Sequence, residues 1–314
     1  TQEGPADEYL LLKPRRPKAV KKRSLQIQEG RDAYLLITPL MLLTLVFILF
    51  PAVSNFYYSF TSWKGFGLVN WIGFDNFNAM FQDPKFLQSL KNTLYLLLFI
   101  PAGVFLPLFL AALLRDGLKG WKFFRALIYL PNVLGYVILG MIFNLFLRSN
   151  GPLNSFLKMV GLHSWALDWM TNPFLALLSL GIVYSVLIRV GFGTIYLLAA
   201  MGGIDEQLYE AARIDGAGWW TAFWHITLPA IRFNIEFLVV ISVIENVARA
   251  FSFIYTFSHG GPGYSTYTLE YGLYGVGFIN GKMGYASAWA VVLFFICAII
   301  AVIQIRLMRR PENE

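Results

Sequence analysis

Residues 210–229 read EAARIDGAGWWTAFWHITLP. Glu210, Arg213 and Asp215 stand there beside two glycines and three tryptophans, between two long apolar runs. Just upstream, Ile204, Leu208, Ala211 and Ala212 fall at i, i+4, i+7 and i+8, which predicts one apolar stripe on a short helix. Asp205, Glu206, Glu210 and Arg213 take the remaining surface. Gly216 and Gly218 then break the helix, since glycine is unfavourable inside helices and tolerates φ > 0. A second short aromatic turn follows, and Pro229 is expected to open the next helix at its first turn. The pattern is helix, glycine elbow, helix. A helix that rests on anionic lipid favours Lys and Arg on its polar face. This one has three carboxylates against one Arg, so a protein partner suits it better.

The surrounding chain is made for lipid. Of 314 residues 57% are hydrophobic and 14% charged, with a mean hydropathy of +0.58. A soluble domain has about 25% charged residues, so this chain cannot cover an ordinary water-facing surface. Apolar runs at about 34–60, 92–114, 125–147, 173–200, 231–257 and 283–306 are each long enough to cross a bilayer. They are continuous and not alternating, which excludes a β-barrel. The expected fold is an all-α membrane protein with six transmembrane helices, its first span an uncleaved one. Counted on alternate sides, the inner segments hold seventeen Lys and Arg and the outer loops six. Basic residues mark the cytoplasmic side, so both termini and the 210–229 segment are expected inside. The net charge of +7 sits mainly in KPRRPKAVKKR (13–23) beside the first span, which argues against a nucleic-acid partner. The single Cys297 lies in an apolar run and is expected to pack. The three histidines show no metal-ligand spacing.

The loop also resembles the EAA loop of bacterial ABC importer membrane subunits, whose pattern runs E-A-A, D-G-A, then I-x-L-P. Glu210, Ala211, Ala212, Asp215, Gly216, Ala217, Ile226, Leu228 and Pro229 match it. FSFIYTFSHGGPGYSTYTL (251–269) and YASAWAVVLFF (285–295) resemble segments of the carbohydrate branch of the family. The resemblance implies a basic cytoplasmic tail over 1–30 and a transmembrane permease domain over 31–310, with a cytoplasmic coupling-helix loop at 202–229. It implies that Glu210 to Ala217 dock into a cytoplasmic ATPase subunit and that the spans work by alternating access. It further implies four kinds of partner besides the lipid bilayer: a second homologous membrane subunit, two ATPase subunits, an external solute-binding protein and a sugar substrate. The chain has no G-x-x-x-x-G-K-[ST] phosphate loop. ATP and Mg are therefore expected on the ATPase subunits, and no cofactor on this chain.

Ionisable residues at bilayer depth are costly and tend to face a bundle interior or an aqueous path. Arg189 sits midway along its run with no counter-charge nearby in sequence. Glu245 and Arg249, four apart, are expected to pair on one helical face. Glu236 is near the inner end of its run and can reach water. Arg189, Glu245, Asn246, Arg249, Phe253 and Tyr255 are the substrate-path candidates, because aromatic faces suit sugars and Arg suits carboxylates. Uncharged oligosaccharide is the commoner family cargo; an acidic one would place the chain near the alginate importers. A membrane-embedded enzyme and a passive channel are the rival classes. The first lacks a nucleophile–base set or paired carboxylates, and the second has no use for a docking loop.

Overall fold

Helix α1 covers Tyr34–Tyr58. Thr38 and Thr44 each donate their hydroxyl to the carbonyl four residues back, which hides the polar atom within an apolar helix. The computed structural model describes residues 34–115 and 120–308. The basic tail over 1–30 lies outside them, as do Arg309 and Arg310. The chain divides into two units, Thr1–Ser54 and Asn55–Glu314. The first unit's described residues are the main part of α1.

The second unit continues with α2 (Asp75–Gln82), α3 (Pro84–Arg115), α4 (Trp121–Val133) and α5 (Tyr136–Phe146). Next come α6 (Pro152–Met159), α7 (Pro173–Met201), α8 (Glu206–Ile214), α9 (Trp219–Ala230) and α10 (Arg232–Ala248). The last three are α11 (Phe251–Phe257), α12 (Leu269–Tyr274) with a π turn after it, and α13 (Met283–Met308). Among the described residues the extended pairing is one isolated bridge, Thr61 with Trp71. Asn76 holds that turn by donating to the carbonyls of Ser59 and Thr61.

Two of the expected spans are not straight. Among the described residues four helices are long and apolar enough to cross, and six crossings result if α4 with α5 and α9 with α10 each count as one bent span. The α4–α5 bend is 101°. Pro131 removes a hydrogen-bond donor near the end of α4, and Leu134 and Gly135 are extended. The run at 231–257 is likewise two helices and not one. It stops at Ala248, where Arg249 turns to φ −140°, and restarts at Phe251.

Small residues let the helices approach closely, as membrane packing without a hydrophobic drive requires. A Cβ on Gly103 of α3 would lie 2.3 Å from the Ser185 carbonyl oxygen on α7. One core gathers Phe86, Leu197, Met201 and Trp289 from α3, α7 and α13. A second joins Leu139, Tyr184, Phe253 and Phe257 from α5, α7 and α11.

Candidate functional site

The loop forms as the glycine pattern indicates, with one correction to its facing. Asp205 caps α8, its carboxylate accepting from the Gln207 amide at 3.0 Å. At the other end Gly216 sits at φ +79°. Its amide donates to the Arg213 carbonyl (3.1 Å) and the Ala217 amide to the Ala212 carbonyl (2.9 Å). These two bonds are the Schellman closure, which needs a left-handed residue at this position. Gly218 differs: at φ −74°, ψ 171° any residue fits, so only one of the two glycines makes the elbow.

The expected apolar stripe faces the bundle only in part. It is split: Leu208 is 53% exposed and Ala211 is exposed too, whereas Ile204 packs against the first core and Ala212 is half-buried. Tyr209 is the buried side chain instead. Its hydroxyl pairs with Thr227 at 2.8 Å, and the Arg115 guanidinium at the end of α3 stands 3.5 Å from its ring centroid. A tyrosine buries far more area than two alanines and finds both a hydroxyl partner and a cation, so it sets the helix rotation. Tyr209 is also the residue that sequence reasoning missed, although it is the largest side chain on α8. The outward face then carries Gln207, Glu210, Ala211 and Ile214, at i, i+3, i+4 and i+7. Asp215 and Gly216 are exposed beside them, and Ala212 and Ala217 are half-buried.

Pro229 also departs from expectation. It lies near the end of α9, after a π turn at Phe223–Thr227, and α10 begins at Arg232 beyond a 71° bend. The proline stands in the first turn of the short segment Leu228–Ala230, where its missing N–H costs little, and the chain turns at Ile231, with φ −103° and ψ 15°. Trp219 stacks on Phe223 within α9 (5.3 Å), and the contacts of Phe109 with Trp219 and Trp220 hold α9 against α3. Between loop and α3 lies a cleft of about 280 Å³ lined by Arg115, Tyr209, Arg213, Trp219 and Phe223 among others.

The second assembly is at mid-span. Arg189 on α7 donates through Nη2 to Glu245 Oε2 at 2.5 Å and through Nη1 to the Ser242 carbonyl at 3.1 Å. Its side chain is 9% exposed and that of Glu245 21%. The Tyr184 hydroxyl donates to the Glu245 carbonyl, and Ser185 donates to Asn246 at 2.6 Å. So Glu245 pairs across to α7 and not along its own helix with Arg249. The reason is the end of α10 at Ala248: Arg249 leaves the helical face and lies exposed. Asn246 and Phe253 are 1% and 0% exposed, locked into α7 and the second core, and present no surface to a path here. Glu245, Arg249 and Tyr255 keep exposed surface. A further carboxylate that sequence reasoning missed, Glu270, accepts from the Phe251 amide at 2.9 Å and holds the start of α11.

Residues 79–311, which include the loop and the buried pair, match the family described as "Binding-protein-dependent transport system inner membrane component". The chain belongs to this family. The permease is 33% identical over 286 residues to a probable ABC transporter permease protein, YurN, of Bacillus subtilis, covering 90% of this chain and 97% of the relative. It is 33% identical to the diacetylchitobiose uptake system permease protein NgcF of Streptomyces coelicolor, over 82% of this chain and 76% of that one. Among solved structures it resembles a chain of a bacterial ABC transporter involved in import of the acidic polysaccharide alginate. The TM-score is 0.79 and identity 26%, with 93% of this chain and 100% of that chain covered. The permease is thus a transporter membrane subunit and not an enzyme.

Proposed function

We propose that the permease imports an oligosaccharide delivered by a periplasmic solute-binding protein. The observation that carries this is the end-to-end likeness to the alginate importer chain, together with relatives named for diacetylchitobiose and lactose. The alginate importer has also been solved with a periplasmic protein holding an alginate pentasaccharide. A second membrane subunit completes the path, and two cytoplasmic ATPase subunits bind ATP and Mg and drive transport by hydrolysis. Glu210, Ala211, Ala212, Asp215, Gly216 and Ala217 form the docking element for an ATPase. The outward row of Gln207, Glu210, Ala211 and Ile214 supports that reading, since it mixes apolar and acidic contacts on one exposed face. An acidic cargo is the second reading. Arg189 is already neutralised by Glu245, so this reading rests on the exposed Arg249 and on the alginate likeness.

The test is ATP hydrolysis by the reconstituted importer with binding protein loaded with neutral or carboxylated oligosaccharides. Loaded protein should raise hydrolysis over the empty form, and a larger response to carboxylated sugar would select the acidic reading. No response to either would remove oligosaccharide as cargo. The seventeen-to-six basic bias supports a cytoplasmic position for both termini. Single cysteines at Val20, Val160 and Glu312 in a Cys297→Ser background check this. Only the one at 160 should react with an impermeant thiol reagent in intact cells; outer labelling at 20 or 312 would reverse the topology.

A further inference from the structure

A second concavity opens at the end of the bundle that carries the loop. There α3 ends, α4 begins and α7 closes, with α7 packed on both α3 and α4. The cavity is about 510 Å³, with Leu114, Ile195 and Leu198 as its apolar wall and Arg115, Trp121 and Arg125 as its polar side. No carboxylate is among its described lining residues. Lys122 adds a third cation, its ammonium 6.0 Å from the Trp121 ring. The first turn of α4 is also without a side-chain cap, its N-cap being Gly120 at φ 83°, so its leading amides add positive potential on the same side.

We infer that this cavity binds the headgroup of an anionic phospholipid, with the phosphate between Arg115 and Arg125 and an acyl chain along Leu114, Ile195 and Leu198. Charge complementarity selects the occupant. Basic pockets between helices at the membrane surface take anionic headgroups, and a tryptophan at the interface suits the boundary between headgroup and chain. A soluble phosphate would have no use for the apolar wall. The inference is independent of the cargo, and it has a consequence for coupling. Arg115 lies on the Tyr209 ring, and Tyr209 is tied to Thr227, so a lipid phosphate at Arg115 would bear on the orientation of the docking helix.

The test is native mass spectrometry of the assembled importer with phosphatidylglycerol or phosphatidylcholine, with glycerol phosphate as a soluble competitor. Phosphatidylglycerol should be retained preferentially and glycerol phosphate should not displace it. Arg125→Gln should lower that retention about fivefold, the effect of one surface cation on an anionic lipid, while Arg125→Lys keeps most of it. Arg125 is exposed, so the Gln variant should unfold at the parental temperature in lipid-free detergent. Equal retention of the two lipids, retention unchanged in Arg125→Gln, or displacement by glycerol phosphate would each overturn the inference. So would retention by the isolated permease but not by the assembled importer, which would mean that the second subunit covers the cavity.

Discussion

Arg189→Gln destabilises the permease by about 3–5 kcal/mol, the cost of leaving one partner of a buried ion pair uncompensated. The basis is the short bond to Glu245 between side chains that are 9% and 21% exposed. Glu245→Gln should cost a similar amount, because it strands the arginine instead. Each appears as a lowered unfolding temperature of the detergent-solubilised complex. The double variant Arg189→Gln, Glu245→Gln should recover most of the loss, since no buried charge is left unpaired. Its transport then separates two roles. If the double variant is stable and transports normally, the pair only joins α7 to α10. If it is stable but transports poorly, the pair also serves the path. Single variants as stable as the parent would contradict the geometry described here.

Gly216→Val abolishes most coupled transport while the protein still inserts and assembles in the membrane. No atom lies within 4 Å of a Cβ built at Gly216, so a clash is not the cause. The cost is conformational: φ is +79°, and a left-handed residue with a side chain costs roughly 1–2 kcal/mol, more for a β-branched one. The relaxed backbone loses the two Schellman bonds and turns α8 relative to α9. Gly218→Ser is the control, because its extended backbone accepts a side chain and serine is a good N-cap. Transport and ATP hydrolysis measured side by side should show Gly216→Val uncoupled and Gly218→Ser near parental. Equal behaviour of the two would take the elbow out of the coupling. Glu210→Lys reverses the charge on the exposed face and should weaken retention of the ATPase subunits on affinity purification.

Much of this was legible beforehand because it depends on neighbours in the chain. Long apolar runs commit to membrane helices by composition, and the acidic, glycine-broken loop between them stood apart on the same ground. The elbow at Gly216 was readable because only glycine takes that backbone cheaply. The stripe over Ile204, Leu208, Ala211 and Ala212 held only at Ile204 and Ala212, which are half-buried, because area and partners and not periodicity alone decide which face turns inward. Tyr209 had both, in Thr227 eighteen residues on and in Arg115 from another helix.

The sequence by itself determined the class of the protein, the position of the four long apolar helices, and the elbow of the loop, since hydropathy and φ preferences are local. Only the tertiary structure decided the 101° bend after α4, the inward turn of Tyr209, and the partner of Arg189. That arginine and Glu245 are 56 residues apart, and the pairing expected along α10 failed because the helix ended one residue before Arg249. A charge within the bilayer takes whichever opposite charge the packed helices bring within reach. Helix packing, set by close contacts such as Gly103 against Ser185, decides which one that is.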